Sequence, residues 1–145
     1  MREWTRTAAA ALVASALAMP AWAAGLSVSG PWFRTLPEGL PSAGYFEIHN
    51  STSSPVVLTG ARSSACGMLM LHQSTEKGGT SRMRDVASVT VPANGTFVFA
   101  PGGYHLMCMN PSADMSPGKS VEVTLVLAGG RTVEAPFSVR TATGK

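Results

Sequence analysis

The chain has 145 residues, only 13% of them charged, and its 11 Lys and Arg against 8 Asp and Glu leave a net charge of +3. No Lys/Arg cluster concentrates that charge, which argues against a nucleic-acid footprint. No nucleophile–base–orienter set and no paired carboxylates can be assembled, which argues against an enzyme.

The amino terminus reads as a secretory leader. Arg2 and Arg6 precede an apolar run from Ala8 to Met19, and Ala21-Trp22-Ala23 is a small-x-small cleavage site. Cleavage after Ala23 is expected to leave residues 24–145 as one exported domain in the periplasm. No cysteine follows the cleavage site to carry a lipid, and no later apolar run reaches spanning length, so no membrane anchor is expected. A monomer is the expected state.

Abundant Gly, Pro, Ser, Thr and Val without a long helical period favour an all-β fold. Leu26–Arg34 alternates and meets Pro31, the pattern of an edge strand with a break. Pro37–Pro41 is a loop. Ala43–His49 forms a strand with Phe46 and Ile48 on one face and Tyr45, Glu47 and His49 on the other, solvated, face. Asn50–Pro55 turns into Val56–Thr59. Met68–Gln73 is a strand that puts Met68, Met70 and His72 on one face and Leu69 and Leu71 on the other. Ser74–Ser81, containing Gly78-Gly79, is expected to be a flexible connection before a short Arg82–Asp85 segment.

Val89–Val91 and Thr96–Phe99 flank Asn94-Gly95, a strong tight-turn signal. After Pro101-Gly102-Gly103, the run Tyr104–Met109 is a strand in which His105, Met107 and Met109 share a face opposite Leu106 and Cys108. Pro111–Lys119 is a loop in which exposure of Met115 is the default. Val121–Leu127 alternates cleanly, and Gly129-Gly130 joins it to Thr132–Val139. Eight or nine short strands at regular spacing point to two packed antiparallel sheets in a Greek-key β-sandwich.

Five of the eight methionines fall between Met68 and Met109. Methionine is a common gap-filler in sandwich cores, yet here the thioethers accompany histidines at fixed offsets. His72 is followed after ten residues by Met83, after another twenty-one by His105, and then, one residue on, by Met107. Two imidazoles and two thioethers suit Cu(I), whereas zinc prefers thiolate or carboxylate and calcium or magnesium prefers oxygen. Met70 is the nearest alternative ligand, and Met109 is placed to shield the ion. His49 lies with Glu47 on a solvated face and is not a ligand candidate. Cys66 and Cys108, the only cysteines, are expected to pair in an exported protein, free or reactive thiols being the alternative.

The set His72, Met83, His105 and Met107 resembles the H-x10-M-x21-H-x-M pattern of the periplasmic copper chaperones known as PCuAC. Met-Leu-His72, Arg-Met83-Arg and Pro-Gly-Gly-Tyr-His105-Leu-Met107 carry the likeness, which spans the mature chain. The resemblance implies a cupredoxin-like β-sandwich that binds one Cu(I) per chain. It further implies delivery of that copper to cytochrome oxidase subunit II, with a Sco-like thioredoxin-fold copper protein as partner. Members often add a His/Met-rich tail that binds Cu(II); Thr141–Lys145 lacks one. The rival functions are an electron-transfer cupredoxin and an exported copper-tolerance or sequestration protein. The first would need a thiolate beside two histidines and an axial methionine.

Overall fold

The computed structural model describes residues 25–37 and 39–145, so the leader read over residues 1–23 lies outside the described residues. Among the described residues ten strands follow one another: β1 (Leu26–Arg34), β2 (Ser42–Asn50), β3 (Val56–Arg62), β4 (Cys66–Lys77), β5 (Thr80–Asp85), β6 (Val89–Val91), β7 (Gly95–Phe99), β8 (Tyr104–Pro111), β9 (Ser120–Leu127) and β10 (Thr132–Arg140). The all-β expectation holds, and among the described residues no helix is long and apolar enough to cross a membrane.

Pairing runs β5-β4-β8-β2-β1-β10-β9-β3-β6, with β7 added to β2. Strict two-residue alternation supplies the core. β9 buries Val121, Val123, Leu125 and Leu127, β10 buries Val133, Ala135, Phe137 and Val139, and from the other side come Phe33, Phe46, Ile48, Phe99 and Leu106. Phe46 stacks on Phe99 at 4.4 Å between ring centroids and meets Phe137 edge-on at 5.5 Å. Burying each such ring is worth roughly 1.5–3 kcal/mol.

Four local expectations change. β1 is not an edge strand: it pairs antiparallel with β2 and, over Trp32–Arg34, parallel with β10, so the sheets are not wholly antiparallel. Pro31 is tolerated there because the register slips by one residue between Ser29 and Trp32, a bulge that spares the ladder its missing N–H. The stretch Ser74–Ser81 is not a flexible connection. β4 continues to Lys77 and returns as β5 through Gly78 and Gly79, both at positive φ, which raises the strand number to ten. Asn94-Gly95 turns the chain as expected but makes no hairpin, since β6 pairs with β3 while β7 pairs with β2. Asn50 holds that crossing in place. Its buried amide donates to Ser54 O and Val91 O and accepts from the Thr52 N–H and hydroxyl.

Two side chains are buried against expectation. Met115 joins the core because the Ser112 N–H donates to Ala65 O and folds the loop over the end of the sandwich. Tyr45 leaves the solvated company of Glu47 by packing on Trp32, 5.0 Å between ring centroids, beneath the Arg34 guanidinium.

Candidate metal centre

The site is built on the antiparallel pair β4–β8. Its register sets His72 opposite His105, Met70 opposite Met107 and Met68 opposite Met109. The intervening rows, Leu71 with Leu106 and Leu69 with Cys108, point into the core. Alternation therefore produces a face of paired imidazoles and thioethers backed by a hydrophobic layer.

His105 is 3% exposed, and its ring meets that of His72 with 5.7 Å between centroids. The Gly103 carbonyl lies 3.2 Å from Nδ1, so Nδ1–H donates to it and Nε2 keeps the lone pair. That Nε2 is buried and has no hydrogen-bond partner. Burial holds the imidazole below its ordinary pKa. The Gly103 bond opposes that shift, while positive charge at His72 and Arg34 adds to it. The neutral, metal-competent form is thereby favoured.

His72 is 13% exposed at its side chain, and Asp85, its direct partner on β5, brings Oδ1 to 2.7 Å from Nε2. This contact is close but lies off the direction of an N–H···O bond. Both nitrogens of His72 are thus without a hydrogen-bond partner. The sequence marks Asp85 only by its two-residue offset from Met83, which gives the two one face on a strand.

Met107 is buried beside His105 on β8, with Met70 directly across from it. Met83 pairs with Ser74, one row beyond the histidines on the side away from Met107, and is 58% exposed. Three of the four expected ligands therefore share the β4–β8 face, and the fourth stands on the neighbouring hairpin strand. Ala43 pairs with Met107, so Ala43 and Tyr45 continue this face onto β2, with Trp32 and Arg34 behind them on β1. Burial raises the Tyr45 pKa, partly offset by Arg34.

Cys66 and Cys108 form a disulfide with Cα atoms 5.4 Å apart, spanning 42 residues of chain. It ties the start of β4 to β8 from the core side. Cys108 points away from the metal face as alternation requires, and Cys66, at the first position of its strand, turns inward to reach it. His49 is satisfied on both nitrogens, by the Ser29 and Thr96 hydroxyls, and stands away from the site. A cavity of about 610 Å³ lies at the other end of β8 around Ser42, Pro111 and Met115 and carries none of the histidines.

A family model described as "Putative lipoprotein LpqE-like" matches residues 26–139. A protein of Leifsonia xyli subsp. xyli (strain CTCB07), "Putative lipoprotein Lxx21020", is 33% identical over 134 residues, 92% of this chain and 80% of the relative. Among solved structures, the "Copper-bound PCuAC domain from PmoF2" is similar with a TM-score of 0.67 and 23% identity, covering 81% of this chain and 93% of that one. Apo-DR1885 from Deinococcus radiodurans is similar with a TM-score of 0.64 and 27% identity, covering 97% and 95%. CuI-DR1885 from the same organism gives 0.62 and 28%, covering 88% and 83%. The shared fold is that of the PCuAC domains, a cupredoxin-like β architecture.

Proposed function

The chain belongs to the LpqE-like family, and from that membership and the His/Met face we propose that it is a copper-binding carrier rather than an enzyme. One Cu(I) is bound per chain by His72, Met83, His105 and Met107. The observation that carries this reading is the buried Nε2 of His105, left without a partner opposite His72 and beside Met107. Neutral imidazole nitrogens and thioethers bind Cu(I) without thiolate. Met83, exposed on β5, moves in to complete the set, and its return to solvent opens the ion to exchange with an acceptor. Copper-bound and Cu(I)-bound neighbours of the same fold support the metal.

An electron-transfer cupredoxin is the weaker reading, because both cysteines are consumed by the disulfide and no thiolate remains for the metal. The disulfide itself fits an oxidising compartment. Together with the lipoprotein descriptions of the family and the Leifsonia protein, it supports a cleaved leader over residues 1–23 and a single periplasmic domain over residues 24–145. The acceptor we propose is a respiratory oxidase copper centre, cytochrome oxidase subunit II, or its Sco-like assembly factor.

Cu(I) titration against a chromophoric chelator tests the reading. One ion bound by the wild type, and bound much more weakly after His105→Ala and after Met83→Leu, supports it. The absence of stoichiometric Cu(I) uptake refutes it.

A further inference from the structure

We propose that Asp85 is an oxygen donor of this site, giving it a second binding mode in which His72, His105 and Asp85 hold Cu(II). The inference rests on the copper reading above and extends it to the oxidised ion.

Three donors occupy one row. Asp85 is the direct partner of His72 across β4–β5, and His72 is the direct partner of His105 across β4–β8. All three side chains leave the same face of adjacent strands. Asp85 Oδ1 and His72 Nε2 approach to 2.7 Å without sharing a proton along a hydrogen-bond direction. Donors bound to one ion at about 2.0–2.1 Å each end up about 3 Å apart, so this spacing is near that of two ligands of a common cation. A carboxylate oxygen and an imidazole lone pair at this distance repel unless a proton or a metal lies between them. His105 Nε2 is the third lone pair, buried and without a partner.

Soft donors flank this row on both sides. Met70 and Met107 occupy the row on one side, and Met83 occupies the row on the other. Two imidazoles with a carboxylate suit Cu(II), while two imidazoles with thioethers suit Cu(I). The site thus presents a nitrogen–oxygen row and a nitrogen–sulfur set that share the same two histidines. Among the described residues, no three His, Cys, Asp or Glu side chains already converge on a metal position. The mode therefore needs a closing movement. The Asp85 side chain is 82% exposed, so a change of rotamer toward His105 displaces no packed neighbour.

The test uses the full mature chain, copper-free, with the disulfide intact. Cu(II) sulfate is titrated in competition with a chelator and followed by electron paramagnetic resonance, and Cu(I) affinity is measured in parallel. The wild type is expected to bind one Cu(II) in a tetragonal site with nitrogen hyperfine structure. Asp85→Asn should lower the ratio of Cu(II) to Cu(I) affinity about tenfold or more, which raises the potential of the bound copper by about 59 mV for each factor of ten. Asp85→Glu, which keeps the carboxylate, should restore much of the ratio. An unchanged ratio in Asp85→Asn overturns the proposal, as does an equal loss of both oxidation states, which marks a structural role. Wild-type protein that binds Cu(I) but no Cu(II) also overturns it and leaves the Cu(I) reading standing. Failure to bind Cu(I) is the separate result that refutes that reading.

Discussion

His72 and His105 face one another across β4 and β8 with ring centroids 5.7 Å apart, yet their nitrogens are held in different ways. His105 is fixed from behind by the Gly103 carbonyl and presents Nε2. His72 has no backbone anchor and meets the Asp85 carboxylate instead. One imidazole is thus preorganised in tautomer and direction, and the other faces an exposed carboxylate on the neighbouring strand. The pair resembles a fixed jaw and an adjustable one, which suits a site that must both hold an ion and release it.

The ligand reading separates the methionines. Met107→Leu keeps the volume of a buried side chain and removes only the sulfur, so it should fold normally and lower Cu(I) affinity about tenfold or more, equal to about 1.4 kcal/mol. Met83→Leu should lower affinity by a similar factor without changing stability, because Met83 is exposed. Met70→Leu, in register with Met107, should change affinity by less than about threefold, roughly 0.6 kcal/mol. Chelator competition on the three variants decides it. A larger loss at Met70 than at Met83 would transfer the fourth position to Met70.

The histidine environment predicts a pH profile. Burial lowers the His105 pKa, so protons compete with copper for this imidazole only below the ordinary histidine range. The contribution of His105 to Cu(I) affinity should hold from pH 7 through about pH 6.5, the ordinary imidazole pKa, and fall at lower pH. The sign for stability follows from the same shift. The unfolded chain binds the proton more readily than the folded chain, so the copper-free protein loses stability as pH falls below the unfolded value toward the lowered folded one. Above that window the contribution is fully present. Flat Cu(I) affinity down to pH 4 would remove histidine from the coordination.

Much of this was legible because strands alternate. His105 and Met107 on one face and Leu106 and Cys108 on the other follow from sequence parity alone, as does the His72 face of β4. Parity within one strand says nothing of its partner, so the direct opposition of His72 to His105 and of Met70 to Met107 waited on the register. The β4–β5 hairpin is not legible in the sequence because Glu76-Lys77-Gly78-Gly79 carries turn chemistry and no apolar alternation; both strands there are solvated and leave no hydrophobic signature. Asp85, at the end of that hairpin, shares its lack of signal. Tyr45 and Met115 looked exposed for a related reason: what buries them, Trp32 and Arg34 for one and the folded-over loop for the other, comes from distant chain.

The disulfide should matter to stability more than to ligand identity. It closes a 42-residue separation, for which loop-closure entropy gives an upper figure of about 4 kcal/mol, with about 2–5 kcal/mol typical of small exported domains. Cys66→Ala/Cys108→Ala should lower the free energy of unfolding in urea by that order. Cu(I) should still be bound by the double variant, since neither sulfur reaches the ligand face. Abolition of Cu(I) binding in a variant that remains folded would show that the bridge positions the metal strands, or that the sulfurs themselves take part.

Gly44 supplies the most local test of how the core supports the site. It lies on β2 opposite Leu106 of β8, next to the Ala43–Met107 pair. A Cβ at this position would stand 2.7 Å from Cε1 of Phe33 and 3.2 Å from the Leu106 Cβ. Phe33 is fully buried, its ring 5.2 Å from that of Phe137. Gly44→Ala should therefore destabilise the fold by about 1–3 kcal/mol, the usual cost of overpacking a filled core. It should also spread β2 from β8 and shift Met107 relative to His105, so Cu(I) affinity should fall in protein that is still folded. An exposed glycine at positive φ, Gly130 in the β9–β10 turn, provides the contrast. Gly130→Ala should cost about 1 kcal/mol through backbone strain alone and leave Cu(I) affinity unchanged. Parallel urea denaturation and chelator competition on the two variants separate strain in the fold from strain transmitted to the metal strands. Equal effects on copper from both would show that Gly44 acts through overall stability and not through the β2–β8 contact.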